Sequence, residues 1–363
     1  MSARLTHARF LTPLSLAIAM AIGLSACAKK EEAAAPVAEA AKGLTIDFSK
    51  LPQLPAFNAA DLDANSPICV DLNKHVNGKW LAANPVPSDR TTWGSFEMLG
   101  ERSLAVQKQI VEAASSSKPA LGSNEQKIGD LYGAGMNEAK LNAEGAAPLV
   151  PYLAEVDELK DGAGVADYII KNFAKGQQSV FAFFPGEDFK DAKNVIAYAY
   201  QAGISLPEKA YYSDAKYQDK RDAFVAHVEK MLVLGGVEAA AAKAQAQTVL
   251  KFESRLAAAS IAPVDMRKPE NQYYFVSLAD ADKATPNFSW SKLFAAQNIQ
   301  GVKGFSLSQP KFFAEMDKML TDTPVSDWQA YFRYHTIADS APYLSDALSN
   351  ERFAFYGTTM RGQ

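Results

Sequence analysis

Residues 179–189 read Ser-Val-Phe-Ala-Phe-Phe-Pro-Gly-Glu-Asp-Phe, and residues 194–203 read Asn-Val-Ile-Ala-Tyr-Ala-Tyr-Gln-Ala-Gly. Both runs are short and rich in β-branched and aromatic residues, the composition of strands. Pro185-Gly186 and the polar stretch to Lys193 separate them, which predicts a small hairpin turning in that interval. They decide the fold class because the chain around them is helical in pattern.

On the N-terminal side, helical signals accumulate from Glu101, with Leu104, Ile110 and Val111 on one side of a first helix. Ser123-Asn124-Glu125-Gln126 reads as a capping box, followed by Ile128, Leu131 and Tyr132 at helical spacing. On the C-terminal side, Tyr217, Phe224, Val228 and Leu232 form a stripe that Gly235-Gly236 should end. Residues 238–260 are rich in strong helix formers. Thr323-Pro324 predicts a last helix with Thr as cap and Pro in its first turn, running to about residue 348 with a bend at Pro342. There is no βαβ alternation and no repeat period. The chain is therefore mainly α, a large helical lobe with a small β-hairpin element.

A hydrophobic share of 48% in 363 residues is enough for a sizeable core and excludes a disordered composition. The net charge of −4, with no basic run beyond Lys29-Lys30, argues against nucleic acid as a partner.

Residues 1–26 read as a leader. Arg4 and Arg9 make its positive end, and Leu11 to Leu24 an apolar stretch too short to span a bilayer comfortably. Leu24-Ser25-Ala26-Cys27 is similar to a bacterial lipobox, which makes Cys27 the expected lipidation site and a bilayer the expected anchor. An ordinary secretory leader with a chance cysteine is the alternative. Ala28 follows, where the inner-membrane retention signal is Asp, so the resemblance to lipoproteins implies the outer membrane, facing the periplasm. Residues 27–44 carry no large apolar group before Leu44 and read as a flexible tether, with the folded domain expected over 45–363. Cys69 is then the one cysteine left, with no intrachain partner, and is expected to be a small buried apolar residue.

Five further stretches occur in order. Residues 69–96 run from Cys-Val-Asp-Leu-Asn-Lys-His to Thr-Thr-Trp-Gly-Ser-Phe. Gly203-Ile204-Ser205-Leu206-Pro207 precedes Tyr211-Tyr212, and Arg267-Lys268-Pro269 precedes Tyr273-Tyr274. Asn287-Phe288-Ser289-Trp290 follows, and Tyr331-Phe332-Arg333-Tyr334-His335 leads to Phe355-Tyr356-Gly357 near the end. Together they resemble the N-terminal helical lobe of the neprilysin-like M13 zinc metallopeptidases. The resemblance implies a lobe that encloses short peptides and a second, C-terminal lobe holding zinc through His-Glu-x-x-His.

None of the four histidines, His7, His75, His227 and His335, starts such a motif. No catalytic or metal-ligating residue is therefore assigned, no cofactor is expected in this chain, and zinc is expected in the C-terminal lobe. The chain reads as inactive alone, either truncated or paired with a separately encoded catalytic lobe. A non-catalytic envelope lipoprotein binding peptides or a partner protein is the second reading, and a helical envelope protein sharing only ancestry is the third. An apolar contact face for the other lobe is expected at Phe353–Gly357.

Low-specificity candidates remain. Asp71 with His75, and His335 with Asp339, are four apart, but zinc needs a third ligand, so hydrogen-bonded surface or interface pairs are expected. Arg90, Trp93, Phe96 and Arg102 are candidates for lining a peptide chamber. In animal members of the family, the arginines that meet the peptide's C-terminal side fall where this chain has Thr92 and Gly100, so nearby Arg90 and Arg102 inherit no role. The aromatics Trp80, Trp93, Phe96 and Trp290 are expected more readily in a core. Glu97 with Glu101, and Glu187 with Asp188, are expected to be solvated carboxylates.

Overall fold

The computed structural model describes residues 45–363 except Pro55 and Phe57, so the leader, Cys27 and nearly all of the tether lie outside the described residues. Strand β1 (Phe181–Asp188) pairs antiparallel with β2 (Asp191–Gln201), setting Phe181 opposite Gln201 and Phe183 opposite Ala199. The hairpin forms and turns within the expected interval of residues 185–193, with Pro185-Gly186 inside β1. Proline is tolerated there because β1 is an edge strand with a ladder on one side only. The chain reverses at Phe189-Lys190, where Asp188 Oδ1 accepts a hydrogen bond from the Lys190 N–H at 2.9 Å and closes an Asx turn. Two strands of two and three residues, β3 (Phe275–Val276) and β4 (Phe305–Leu307), extend the sheet in the order β1-β2-β4-β3. Strand β4 runs parallel to β2 and antiparallel to β3.

Before the sheet come α1 (Leu72–Ala83), α2 (Ser95–Ser116), α3 (Asn124–Gly135), α4 (Glu138–Glu144), α5 (Val150–Asp157) and α6 (Gly162–Ala174). After β2 come α7 (Lys209–Ser213), α8 (Gln218–Leu234), α9 (Ala239–Ala259), α10 (Pro263–Met266) and α11 (Pro269–Gln272). Then follow α12 (Leu278–Ala284), α13 (Trp290–Ala296), α14 (Pro310–Asp322), α15 (Val325–Ser340) and α16 (Asp346–Phe353), ending in a π-helix, Ala354–Thr359. Among the described residues no helix is long and apolar enough to cross a membrane.

Local chemistry sets these boundaries. Ser123 Oγ accepts from the Gln126 N–H at 3.1 Å, while the Gln126 side chain accepts from the Gly122 N–H, one residue before the partner a standard capping box uses. Helix α8 stops at Gly235 and Gly236, the latter at φ 92°, where glycine carries no Cβ penalty. The last helix differs from expectation. Pro324 sits before the first turn with ψ 140°, and Thr323 turns its hydroxyl to Arg255 at 3.1 Å rather than capping. The helix does not bend at Pro342 but ends at Ser340 in a 3-10 turn, Ala341–Tyr343, before α16 begins.

The unit Lys50–Gln363 has two clusters of buried apolar side chains. One gathers α6, the sheet, α13 and α14 around Phe181, Trp290 and Phe313. The other gathers α8 and the C-terminal segment around Phe224, Met231 and Phe355. Helices α9 and α15 stand between them and feed both: Phe252, Leu256, Trp328 and Tyr331 face the first, and Ala246, Val249, Tyr334 and Ile337 the second. Helices α1, α2 and α3 supply no residue to either cluster. The described part of the preceding unit, residues 45–49, contains an Asx turn closed by Asp47 and Ser49.

Candidate functional site

Helix α9 carries Ala242, Ala246, Val249, Glu253 and Leu256 at alternating spacings of four and three, so Glu253 falls on its buried stripe. An ion there is tolerable only if it is fully hydrogen-bonded. Glu253 accepts from Ser205 N–H at 2.8 Å, Ser205 Oγ at 2.7 Å and Tyr212 Oη at 2.6 Å, and it pairs with His335 Nε2 at 2.9 Å. Tyr212 Oη accepts in turn from the backbone N–H groups of Ser205 and Leu206 at 3.0 and 2.9 Å. This explains the Ser-Leu-Pro…Tyr-Tyr stretch: its hydroxyls and amides wrap one buried carboxylate.

The order of the contacts rules out a nucleophilic triad. The carboxylate lies between the serine and the imidazole, so His335 does not reach the Ser205 proton as a base must. Burial works against a charged His335. The hydrogen bond and charge of Glu253, helped by Asp339, outweigh it and hold the imidazole above its ordinary pKa. Burial and the adjacent Glu253 charge push the Tyr212 hydroxyl far up, so it stays protonated as a donor. The cluster locks α7, α9 and α15 together.

His335 also borders a cavity of about 630 Å³ between α15 and the C-terminal segment, with Asp339, Tyr334, Arg352, Tyr356 and Arg361 on its walls. Arg352 Nε donates to the Ala338 carbonyl at 3.2 Å, and its guanidinium lies 5.2 Å from the Tyr356 ring centroid. Nearby, His227 Nδ1 is 3.0 Å from Glu351 Oε1 and its ring stacks on Phe355 at 4.6 Å. His227 Nε2 is buried without a partner. Burial lowers the His227 pKa, and Glu351 opposes this only in part, so the neutral ring donates through Nδ1.

The sequence candidates are placed elsewhere. Arg90 forms an ion pair with Glu101, and Arg102 Nη1 donates to the Pro52 carbonyl at 2.7 Å. Trp93 is half-buried, and Phe96 is 87% exposed. The core expectation holds for Trp290, which is fully buried, and fails for Phe96 because α2 has no core to join. Trp80 is half-buried and lines a cavity of about 400 Å³ with Gly94 and Ser95. Cys69 is exposed, contrary to the expectation of burial, because its turn precedes α1 where nothing packs over it.

The side chains of Asp71 and His75 are used separately. Asp71 caps α1 through the Lys74 N–H, and His75 Nδ1 meets the Ser66 carbonyl at 2.9 Å. His335 and Asp339 come within 3.9 Å. Glu97 accepts from Thr92, and Asp188 is held below the usual carboxylate range by its turn hydrogen bond from Lys190. Among the described residues no three His, Cys, Asp or Glu side chains gather to hold a metal ion, so these residues do not fit a zinc site.

The apolar contact face is not where the last stretch suggested. Phe355 is buried in the second cluster and Gly357 is buried beside it, while Phe353 and Ala354 are exposed. The exposed apolar side chains concentrate over residues 68–136 instead: Val70 at 80%, Phe96 at 87%, Leu121 at 93% and Leu131 at 77%. Helices α2 and α3 pack on each other so closely that a Cβ on Gly129 would lie 2.7 Å from the Ala114 carbonyl oxygen. Their outer apolar residues, Phe96, Leu104 and Leu131 among them, are largely exposed.

Comparison with known proteins agrees with this architecture. The family model for the N-terminal part of peptidase family M13 matches residues 68–363. Endothelin-converting enzyme 1 of Mus musculus is 25% identical over 312 residues, covering 80% of this chain and 39% of that protein. Neprilysin-3 of Drosophila melanogaster is 24% identical, covering 67% of this chain and 33% of that protein. The inhibitor complex of a zinc metalloprotease from Mycobacterium tuberculosis superposes with a TM-score of 0.78 at 28% identity, over 86% of this chain and 48% of that one. The chain thus spans less than half the length of these relatives.

Proposed function

The chain belongs to peptidase family M13, and from that premise we propose that it is the peptide-enclosing N-terminal lobe of a zinc metalloendopeptidase, working with a second lobe that carries the zinc. The observation that carries this reading is the uncovered apolar surface of α1–α3. An amphipathic helix is held in water mainly by packing its apolar face, and these three have no core to pack on. A second lobe seated on them supplies the missing contact, whether it continues this polypeptide or is a separate chain. The zinc ligands and the catalytic base then belong to that lobe, while this chain limits access to short peptides and positions them.

The lipobox-like Leu24-Ser25-Ala26-Cys27 supports extending the proposal to the cell envelope, with Cys27 lipidated at the periplasmic face of the outer membrane. Acyl-chain release from the purified protein, lost in Cys27→Ser, tests that part.

The lobe reading is tested by hydrophobic-dye fluorescence and sedimentation of this chain alone. Dye binding and self-association are expected, both reduced by Phe96→Ser with Leu131→Ser. A dye-silent monomer overturns the proposal.

A further inference from the structure

We propose that the cavity between α15 and the C-terminal π-helix binds a carboxylate, and that its ligand is an acidic group of a short peptide. The peptide part rests on the lobe reading above; the carboxylate part rests on the cavity alone.

Its size, about 630 Å³, lies within the range of small-ligand sites, roughly 300–1,000 Å³. Arg352, Arg361 and His335 border it. The negative charge of Glu253, behind the wall, is matched by His335 at 2.9 Å. The one side-chain carboxylate among the described residues on the wall is Asp339, whose side chain is 70% exposed and 3.9 Å from His335. The two arginines therefore outnumber the acid left to oppose them.

They are also unspent. Arg361 makes no hydrogen bond or ion pair with another described residue. Arg352 uses Nε on the Ala338 carbonyl and sits 5.2 Å from the Tyr356 ring centroid, leaving both terminal nitrogens without an acceptor among the described residues. A guanidinium held in one plane presents parallel N–H groups that match the two oxygens of a carboxylate, and holding it beforehand reduces the ordering cost of binding. The Tyr334 and Tyr356 hydroxyls, 3.3 Å apart, share one hydrogen bond and leave one neutral O–H to donate on the same wall. Gly357 belongs to this shape: a Cβ there would lie 2.7 Å from the Phe353 ring, so a larger residue would disturb the π-helix beside Arg361.

The test is calorimetric titration of the full chain with three N-acetylated pentapeptides of one apolar sequence: the free acid, its C-terminal amide, and the amide with one internal Glu. The free acid is expected to bind, with the plain amide at least tenfold weaker. Binding of the internal-Glu amide as tightly as the free acid would assign the site to side-chain carboxylates, and weaker binding to the peptide terminus; either supports the carboxylate. Arg361→Gln, at an exposed residue, is expected to weaken the free acid about tenfold without changing the melting temperature. Equal affinity of acid and amide, no binding of any peptide, or an unchanged Arg361→Gln variant overturns the proposal. None of these results bears on whether a zinc lobe completes the enzyme, which the dye and sedimentation experiment addresses separately.

Discussion

Replacing Glu253 by alanine removes the one group that ties Ser205, Tyr212 and His335 together. Breaking a buried pair by deleting one partner costs about 3–5 kcal/mol, because the other charge is left without compensation. The Ser205 and Tyr212 donors also lose their acceptor; Ser205 borders the cavity beside His335, where water can take the place of Glu253. We expect a total loss of about 3–5 kcal/mol for Glu253→Ala, against about 2–4 kcal/mol for Tyr212→Phe, which deletes the hydrogen bond to Glu253 and leaves the Leu206 N–H without its acceptor. Urea denaturation followed by circular dichroism, with an unchanged slope, reads both values. A loss under about 1 kcal/mol for Glu253→Ala would refute the reasoning, since an ion pair worth so little would have to be solvated.

Four further outcomes follow from the same structure. The His335 pKa is held above its ordinary 6.5, so its stabilisation is fully present below that pH and is lost as pH rises through the raised value; Glu253→Gln should flatten this slope in a pH series of denaturation curves. His227 has the opposite sign: its lowered pKa makes its contribution present above 6.5 and lost as pH falls below it, a slope that His227→Phe should remove. Gly162→Ala, normally favourable in a helix, should destabilise by about 1–3 kcal/mol in the same assay because its Cβ would lie 1.6 Å from the Leu320 carbonyl oxygen. Amide hydrogen exchange should be faster in α2 and α3 than in α9 and α15, which carry both cores.

Much of this was legible in the sequence because it is local. The stop at Gly235-Gly236, the start of α9 and the cap at Ser123 depend on a few neighbouring residues and appeared where expected. The hairpin appeared too, turning inside the expected interval of residues 185–193 at the Asx turn that Asp188 closes. Strands β3 and β4 were not legible, since two or three residues carry no alternation to read. The Glu253 cluster was missed, yet a signal existed: an acidic residue on an otherwise apolar stripe of α9 must be paired inside the fold. Its partners lie 41 to 82 positions away, and only the fold brings them together. The burial of Phe355 and the exposure of Phe96 were opposite to expectation for the same reason: apolar composition does not say which element supplies the cover.

The decisive measurement is zinc-dependent cleavage of a short fluorogenic peptide by this chain alone, by the polypeptide encoded directly downstream of Gln363, and by the two expressed together. The proposal predicts no cleavage by this chain, and cleavage by the pair that exceeds any shown by the downstream part and disappears on chelation. A downstream polypeptide that carries His-Glu-x-x-His and is equally active without this chain would contradict it.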